Sequence, residues 1–383
     1  MTAITPSAFY FLLFAANACL LPFLALYYKS IGLTGSQIGL LTGLSPLITL
    51  AAAPFWTGLA DTTRRHKLVM AALMVVSATS ALAILVAHDF FGLLLVVSVF
   101  AFALAPLGSL ADTATMSMLG ERRDRYGRIR IFGTLGWGVM APVAGWIIKQ
   151  TGLDWAFYLY AFLMSLGLLL AFRFTFPRDH HAVPFAQGMR TLFGNRHWMF
   201  FLGMVLLSGI GTATINTYLS VLLADLHAST ATVGVALAIS TISELPIMFF
   251  ANRLLRRFHP SGVLVLAMIA VVVRVLLYSV AGAAWQVLLI QLLHGLNYPL
   301  IWVAGVAYAD RVAPPGLNAS AQGMFGSTLM GIGAAVGNLL GGVLLQQGGT
   351  AGMYRIIGLV VLAGLLLVLA VERLFGNARM GDD

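Results

Sequence analysis

Seven polar side chains stand in stretches of sequence that leave them little water. Asp112, Arg130 and Trp137 lie in the fourth and fifth apolar runs of the chain. Glu244, Arg274, His294 and Asn297 lie in the eighth to tenth. An ionisable group within a membrane span costs about 2.5–3.5 kcal/mol on insertion scales, so each needs a compensating role. Asp112 sits roughly 10 Å short of the end of its run at 1.5 Å per residue. Arg130 is near the start of the run that returns beside it, and Trp137 shares the helical face of Arg130. An acid, an arginine and an indole around one cavity supply acceptors, donors and a flat apolar surface. A salt bridge bracing the fold accounts for the same two charges, and core packing for the indole.

The second set suggests proton chemistry. His294 and Asn297 are spaced i, i+3 and share a face. Moving an arginine towards or away from a buried carboxylate switches the acid between releasing and holding a proton. Asn297 cannot titrate and Arg274 is always charged, so Glu244 or Asp112 must carry any proton, with Glu244 the main candidate. A Glu–Arg pair used only for folding and a satisfied core histidine are the structural alternatives. Asn17, Thr212, Thr214, Asn216 and Tyr298 either line a cavity or bridge helices, as such residues do in lipid.

The elements that carry these residues follow from composition. Of 383 residues, 60% are hydrophobic and 9% charged, against roughly 25% charged in soluble domains. Apolar runs of membrane-crossing length recur between short polar breaks, which predicts an all-α membrane protein. Twelve spans are expected at 7–28, 38–60, 67–87, 91–119, 126–148, 153–173, 198–222, 230–252, 261–282, 285–310, 319–345 and 351–372. The net charge of +9 is topological rather than a nucleic-acid site. Arg64, Arg65 and Lys67, the arginines at 122–130, and Arg253, Arg256 and Arg257 all fall in alternate breaks. Of the 22 Lys and Arg, only Lys29, Lys149 and Arg355 fall towards the other side, and Arg274 lies within a span. The positive-inside rule then places both termini in the cytoplasm.

The chain is also doubled. Ala60-Asp61-Thr62-Thr63-Arg64-Arg65 after the second span is echoed by Ala251-Asn252-Arg253-Leu254-Leu255-Arg256 after the eighth. Ile131-Phe132-Gly133-Thr134 is echoed by Met324-Phe325-Gly326-Ser327 at nearly the same offset, half the chain length. Two six-helix bundles are expected, 1–173 and 198–383, joined by a cytoplasmic linker at 174–197. Such halves rock about a substrate site near the mid-membrane. Glycines in the fifth and eleventh spans, Gly133, Gly136, Gly138, Gly333, Gly337 and Gly341, let helices approach closely.

The loop Gly58-Leu59-Ala60-Asp61-Thr62-Thr63-Arg64-Arg65 resembles the loop motif of the major facilitator superfamily, with Thr57 and Arg64 where the motif has glycines. Tyr126-Gly127-Arg128-Ile129-Arg130-Ile131-Phe132-Gly133, followed by Trp137, is similar to the fifth span of the lactose, nucleoside and phenylpropionate permease group. The resemblance implies a monomeric, proton-coupled symporter of the bacterial inner membrane. It implies Asp112, Arg130 and Trp137 as substrate residues, and Asn17 and Asn216 are expected beside them by their type and place in the spans. It implies Glu244, Arg274, His294 and Asn297 as the coupling set, and Asp61, Arg64 and Arg65 as a conformational gate. The sugar-binding pattern has glutamate at Asp112, and the coupling pattern has an acid at Asn297 and a lysine at Gln291. Gly138–Gly145, with Pro142, loosely resembles the signature of drug antiporters and keeps export open.

Other chemistry finds no footing in the sequence. His180-His181 has only Asp179 nearby, short of a metal set. No Walker-type glycine loop is present, so no cofactor is expected, and neither is a nucleic-acid partner or an enzymatic activity. Cys19 stands alone, which precludes an intramolecular disulfide.

Overall fold

A computed structural model describes residues 4–87, 89–120, 122, 125–176, 196–257, 260–313 and 318–377. Helices dominate the described residues, and no strand occurs among them. In hydrocarbon each backbone N–H and C=O must be satisfied within its own segment, and the helix does this. The first six helices are α1 Ile4–Ser30, α2 Gly35–Thr63, α3 His66–Ile84, α4 Phe90–Leu119, α5 Tyr126–Thr151 and α6 Trp155–Ala171. They are followed by α7 Trp198–Asp225, α8 Thr230–Phe250, α9 Gly262–Val280 and α10 Ala284–Arg311. The last apolar stretch, Ala321–Val371, breaks at Gly349 (φ 64°, ψ −173°) and so forms α11, residues 321–348, and α12, residues 350–371. Counted this way, the described residues supply the twelve expected crossings; α6, at 17 residues, is at the short limit for a span.

Local signals set the ends. Thr34 caps α2 in a capping box, its side chain accepting from Gln37 N while Gln37 Oε1 accepts from Thr34 N at 2.9 Å. Asp89 caps α4 by accepting from Gly92 N at 2.8 Å. Pro106 starts a second helical segment within α4, Leu107–Leu119, which carries Asp112. A π-helical turn at Ser327–Gly333 interrupts α11.

The described residues group into two compact units, 1–181 with 219–241, and 182–218 with 242–383. In the first, α1 packs against α5 and α6, while α3 packs against α4 and α6. Phe9, Tyr10, Ala15, Ala16 and Cys19 of α1 are fully buried there. Gly136 allows the α1–α5 approach, since a methyl there would overlap the Phe11 carbonyl. The hairpin 219–241 belongs to the second half in the sequence repeat, yet it packs with this unit. Thr230 Oγ1 of α8 donates to the Gly145 carbonyl of α5 at 3.0 Å, and a Cβ on Gly234 would lie 2.5 Å from the Ala141 oxygen. In the second unit α9 packs against α10 and α12. There Gly333 and Gly337 of α11 lie hard against Gly209 and Ile210 of α7. Large apolar side chains such as Phe91, Phe249 and Leu367 point outward, which suits lipid rather than water. Residues 177–195 of the expected linker, with His180 and His181, lie outside the described residues.

Candidate functional site

In the first unit, α1, α4 and α5 converge on Asp112. Tyr10 OH of α1 donates to Asp112 Oδ1, and Tyr126 OH at the start of α5 donates to the same oxygen at 2.9 Å. Arg130 is one turn beyond Tyr126. Its guanidinium lies 4.3 Å from the Phe14 ring centroid and 5.1 Å from that of Tyr10. Stacking a cation on an aromatic face is worth about 0.5–2 kcal/mol, more when desolvated. Tyr10 therefore serves twice, with its ring under the arginine and its hydroxyl on the acid.

This arrangement departs from the salt-bridge alternative. Among the described residues Asp112 and Arg130 form no ion pair. Two tyrosine hydroxyls take one carboxylate oxygen, and the aromatic faces of α1 draw the guanidinium. The result is unused bonding capacity. Asp112 Oδ2 and the Arg130 donors make no hydrogen bond among the described residues, and both side chains are only half-buried. Trp137 is half-buried two turns further along α5. Asn17 stands on the α1 face of Tyr10 and Phe14, with its Oδ1 buried and without a hydrogen bond among the described residues. A half-open carboxylate, a guanidinium, an amide and aromatic faces can together hold a hydroxylated or aromatic solute.

The second unit holds a closed network. Glu244 of α8 accepts from His294 Nε2 of α10 at 2.6 Å. His294 Nδ1 lies 2.7 Å from Arg274 Nη1 of α9. Arg274 Nη2 donates to Gln291 Oε1, and its Nε donates to Tyr278 OH at 3.2 Å. Tyr278 OH donates to the same Gln291 oxygen at 2.9 Å. Arginine has only donors, so His294 Nδ1 must offer its lone pair. The ring is then neutral with its proton on Nε2, and that proton faces the Glu244 carboxyl group. Arg274 is 1% exposed, yet it is an ion whose hydrogen-bond partners Tyr278, His294 and Gln291 are all neutral, and Glu244 reaches it only through the imidazole. Tyr298 stacks on His294 at 5.8 Å between centroids.

Other expected residues fall differently. Asn297 is fully buried; its Oδ1 accepts from Tyr298 N, and its Nδ2 has no hydrogen bond among the described residues. Asn216 is exposed on α7. Thr214 bridges helices, donating to Ile210 O and to Gly337 O at 3.1 Å. At the α2–α3 turn, Asp61 accepts from buried His66 at 2.6 Å rather than from Arg64 or Arg65, which are exposed. Arg64 itself adopts a left-handed conformation, φ 57° and ψ 25°, at the helix end.

Several partners escape sequence reasoning. Tyr10 is 102 residues from Asp112, and no spacing rule links them. Tyr278 and Gln291 could be found by helical spacing, one turn from Arg274 and His294 respectively.

The family described as MFS_1 like matches residues 4–356. The chain belongs to this family. It is a transporter of the major facilitator superfamily rather than an enzyme. It is similar to a maltose permease of Geobacillus stearothermophilus, 28% identical over 372 residues, covering 95% of this chain and 93% of that one. It is also similar to the quinolone resistance protein NorA of Staphylococcus aureus, 25% identical, covering 94% and 93%. Among solved structures, that of the nucleoside transporter NupG superimposes with a TM-score of 0.85 at 18% identity, covering 96% of this chain and 98% of that one. This likeness shows the fold alone.

Proposed function

We propose that the chain imports a small hydroxylated or aromatic solute, of the sugar, nucleoside or aromatic-acid class, together with protons. Two six-helix halves, 1–173 and 198–383, alternate access to the solute, with both termini and the 174–197 linker cytoplasmic in a bacterial inner membrane. Asp112, Arg130 and Trp137 hold the solute, aided by Asn17 and Asn216. Glu244 carries the proton, His294 and Arg274 set when it is held, and Asn297 completes that pocket. Asp61, Arg64 and Arg65 gate the loop between α2 and α3.

One observation carries the coupling: the chain Glu244–His294–Arg274, in which arginine occupies one imidazole nitrogen and the acid the other. Protonating Glu244 removes the ion that Nε2–H faces, and protonating His294 Nδ1 expels the guanidinium. Either event reorganises a buried network, which is what a proton must do to drive a conformational change. The maltose permease relative favours import of a hydroxylated solute. The NorA relative and the α5 signature around Pro142 favour a second reading, proton-antiport export.

Proteoliposomes decide between them. A panel of sugars, nucleosides and aromatic acids is offered with an imposed pH gradient of either sign. Accumulation driven by protons moving with the solute supports import; accumulation driven by protons leaving as solute enters establishes antiport. Glu244→Gln should abolish accumulation while sparing solute exchange. Proton-driven accumulation by well-folded Glu244→Gln would move the coupling to Asp112 or remove it from the second unit. Arg274 is left uncompensated in that variant, a strongly destabilising change, so Glu244→Gln with Arg274→Gln serves as the folding control.

A further inference from the structure

The α1–α5 face of the first unit carries a groove that the transport reading does not use. It has a volume of about 750 Å³, and its wall is apolar, built from Phe11 and Leu12 of α1 and Ile129 and Phe132 of α5. Arg125 and Arg128 stand at its mouth beside Ile4, with Ser7 the one other polar side chain lining it. Both arginines are exposed, and their i, i+3 spacing puts them on one face. Arg130, which belongs to the candidate solute site, does not line it.

The dimensions give the groove an occupant. Both helices start at the same end, and from Ile4 to Leu12 the groove descends roughly 12 Å at 1.5 Å per residue. That is close to the hydrocarbon depth of one leaflet, half of about 30 Å. The mouth is cationic at the headgroup level and the floor is apolar at the acyl level. Basic pockets between membrane helices recognise anionic headgroups in this way. A polar solute would find almost nothing to bond along the wall, whereas an acyl chain needs only the apolar surface.

We propose that this groove binds one anionic phospholipid, with its phosphate between Arg125 and Arg128 and an acyl chain along Phe11, Leu12 and Phe132. The site is independent of solute and proton chemistry and holds for either orientation of the protein.

The test uses the full-length protein in neutral detergent, titrated with dioleoylphosphatidylglycerol and read by native mass spectrometry, with dioleoylphosphatidylcholine for comparison. The wild type should retain the anionic lipid at least tenfold more tightly than the neutral one. Arg125→Gln with Arg128→Gln should weaken that binding roughly tenfold or more, about 1.4 kcal/mol. Ala8→Trp, which fills the groove but keeps both arginines, should weaken it similarly. Arg173→Gln with Arg253→Gln removes the same charge from exposed positions that do not line the groove and should leave it within twofold. Equal weakening by both charge pairs with no effect of Ala8→Trp would reduce the binding to surface electrostatics and overturn the proposal. Full competition by inorganic phosphate would overturn it in favour of a free-anion site. If the double arginine variant does not fold, Ala8→Trp decides alone.

Discussion

Replacing Tyr10 by phenylalanine separates the two jobs assigned to this residue. Tyr10 is fully buried, and phenylalanine keeps its ring and volume, so the stacking beneath Arg130 persists. Only the hydroxyl bonded to Asp112 is lost. A hydrogen bond to a charged group is worth about 1.5–3 kcal/mol. Tyr126 OH remains on the same oxygen at 2.9 Å, which puts the loss at the lower end, about 1.5 kcal/mol. Solute affinity in proteoliposomes should therefore fall about tenfold. Tyr10→Leu also removes the ring face, adding about 0.5–2 kcal/mol, so its affinity should fall by roughly twenty- to three-hundred-fold. Asp112→Asn supplies the cycle. With the carboxylate gone, adding Tyr10→Phe should cost little more, a coupling above about 1 kcal/mol. Binding by Tyr10→Phe within twofold of wild type, or persistence of its full penalty in Asp112→Asn, would refute a role for the hydroxyl in positioning Asp112.

Three further outcomes can be checked with simple variants. Arg130→Lys keeps the charge but loses the planar fork. Its solute affinity should fall about tenfold with unchanged thermal stability, and unchanged affinity with collapsed stability would make Arg130 a structural brace. Arg64→Gly places glycine at the left-handed position of the α2 C-terminus, relieving about 1 kcal/mol. The melting midpoint should rise by a few degrees, and no such rise should follow Arg64→Ala; equal effects would show that the turn stores no strain. In a Cys19→Ser background, cysteine at Phe185 should resist impermeant reagents in intact cells while cysteine at Leu226 reacts; exclusive outside labelling at 185 would invert the proposed topology.

Fold and site were legible to different degrees, for physical reasons. Membrane insertion acts on the mean apolarity of a segment, and that is a property of sequence alone. The crossings therefore emerge from composition, down to the break near Gly349. Pairing of polar groups inside a bundle depends instead on which helices meet. Asp112 and Arg130 are neighbours in the α4–α5 hairpin and looked like partners. The rival was Tyr10 on α1, which has no sequence relation to either. Its hydroxyl and ring satisfy both charges separately, and no helical spacing could announce that. Arg274, His294 and Glu244 were recognisable by type and depth, but the order of the chain was not. Whether the imidazole lies between the two charges depends on how α8, α9 and α10 pack. The loop motif showed a third pattern. His66 sat beside the recognised residues, but only the turn geometry brings it onto Asp61 in place of either arginine.

The two clusters should also fail in different ways when altered. Around Asp112 and Arg130, hydrogen-bonding capacity is left open and both side chains are half-buried, so a replacement removes a contact that solvent can partly restore. The expected phenotype is a folded protein with weakened solute binding. Around Arg274 each guanidinium nitrogen is committed to a particular acceptor, and burial leaves little water to substitute. Removing one partner strands a buried charge, which costs about 3–5 kcal/mol, a sizeable share of a typical folding free energy. Single changes at His294 or Gln291, which bond Arg274 directly, should therefore lower expression and thermal stability before they reveal a transport defect. Compensated pairs that also remove Arg274 should recover the fold. If His294→Leu alone were as stable as the wild type, Arg274 would have to be satisfied without the imidazole, and the ordered relay from Arg274 to Glu244 would lose its physical basis.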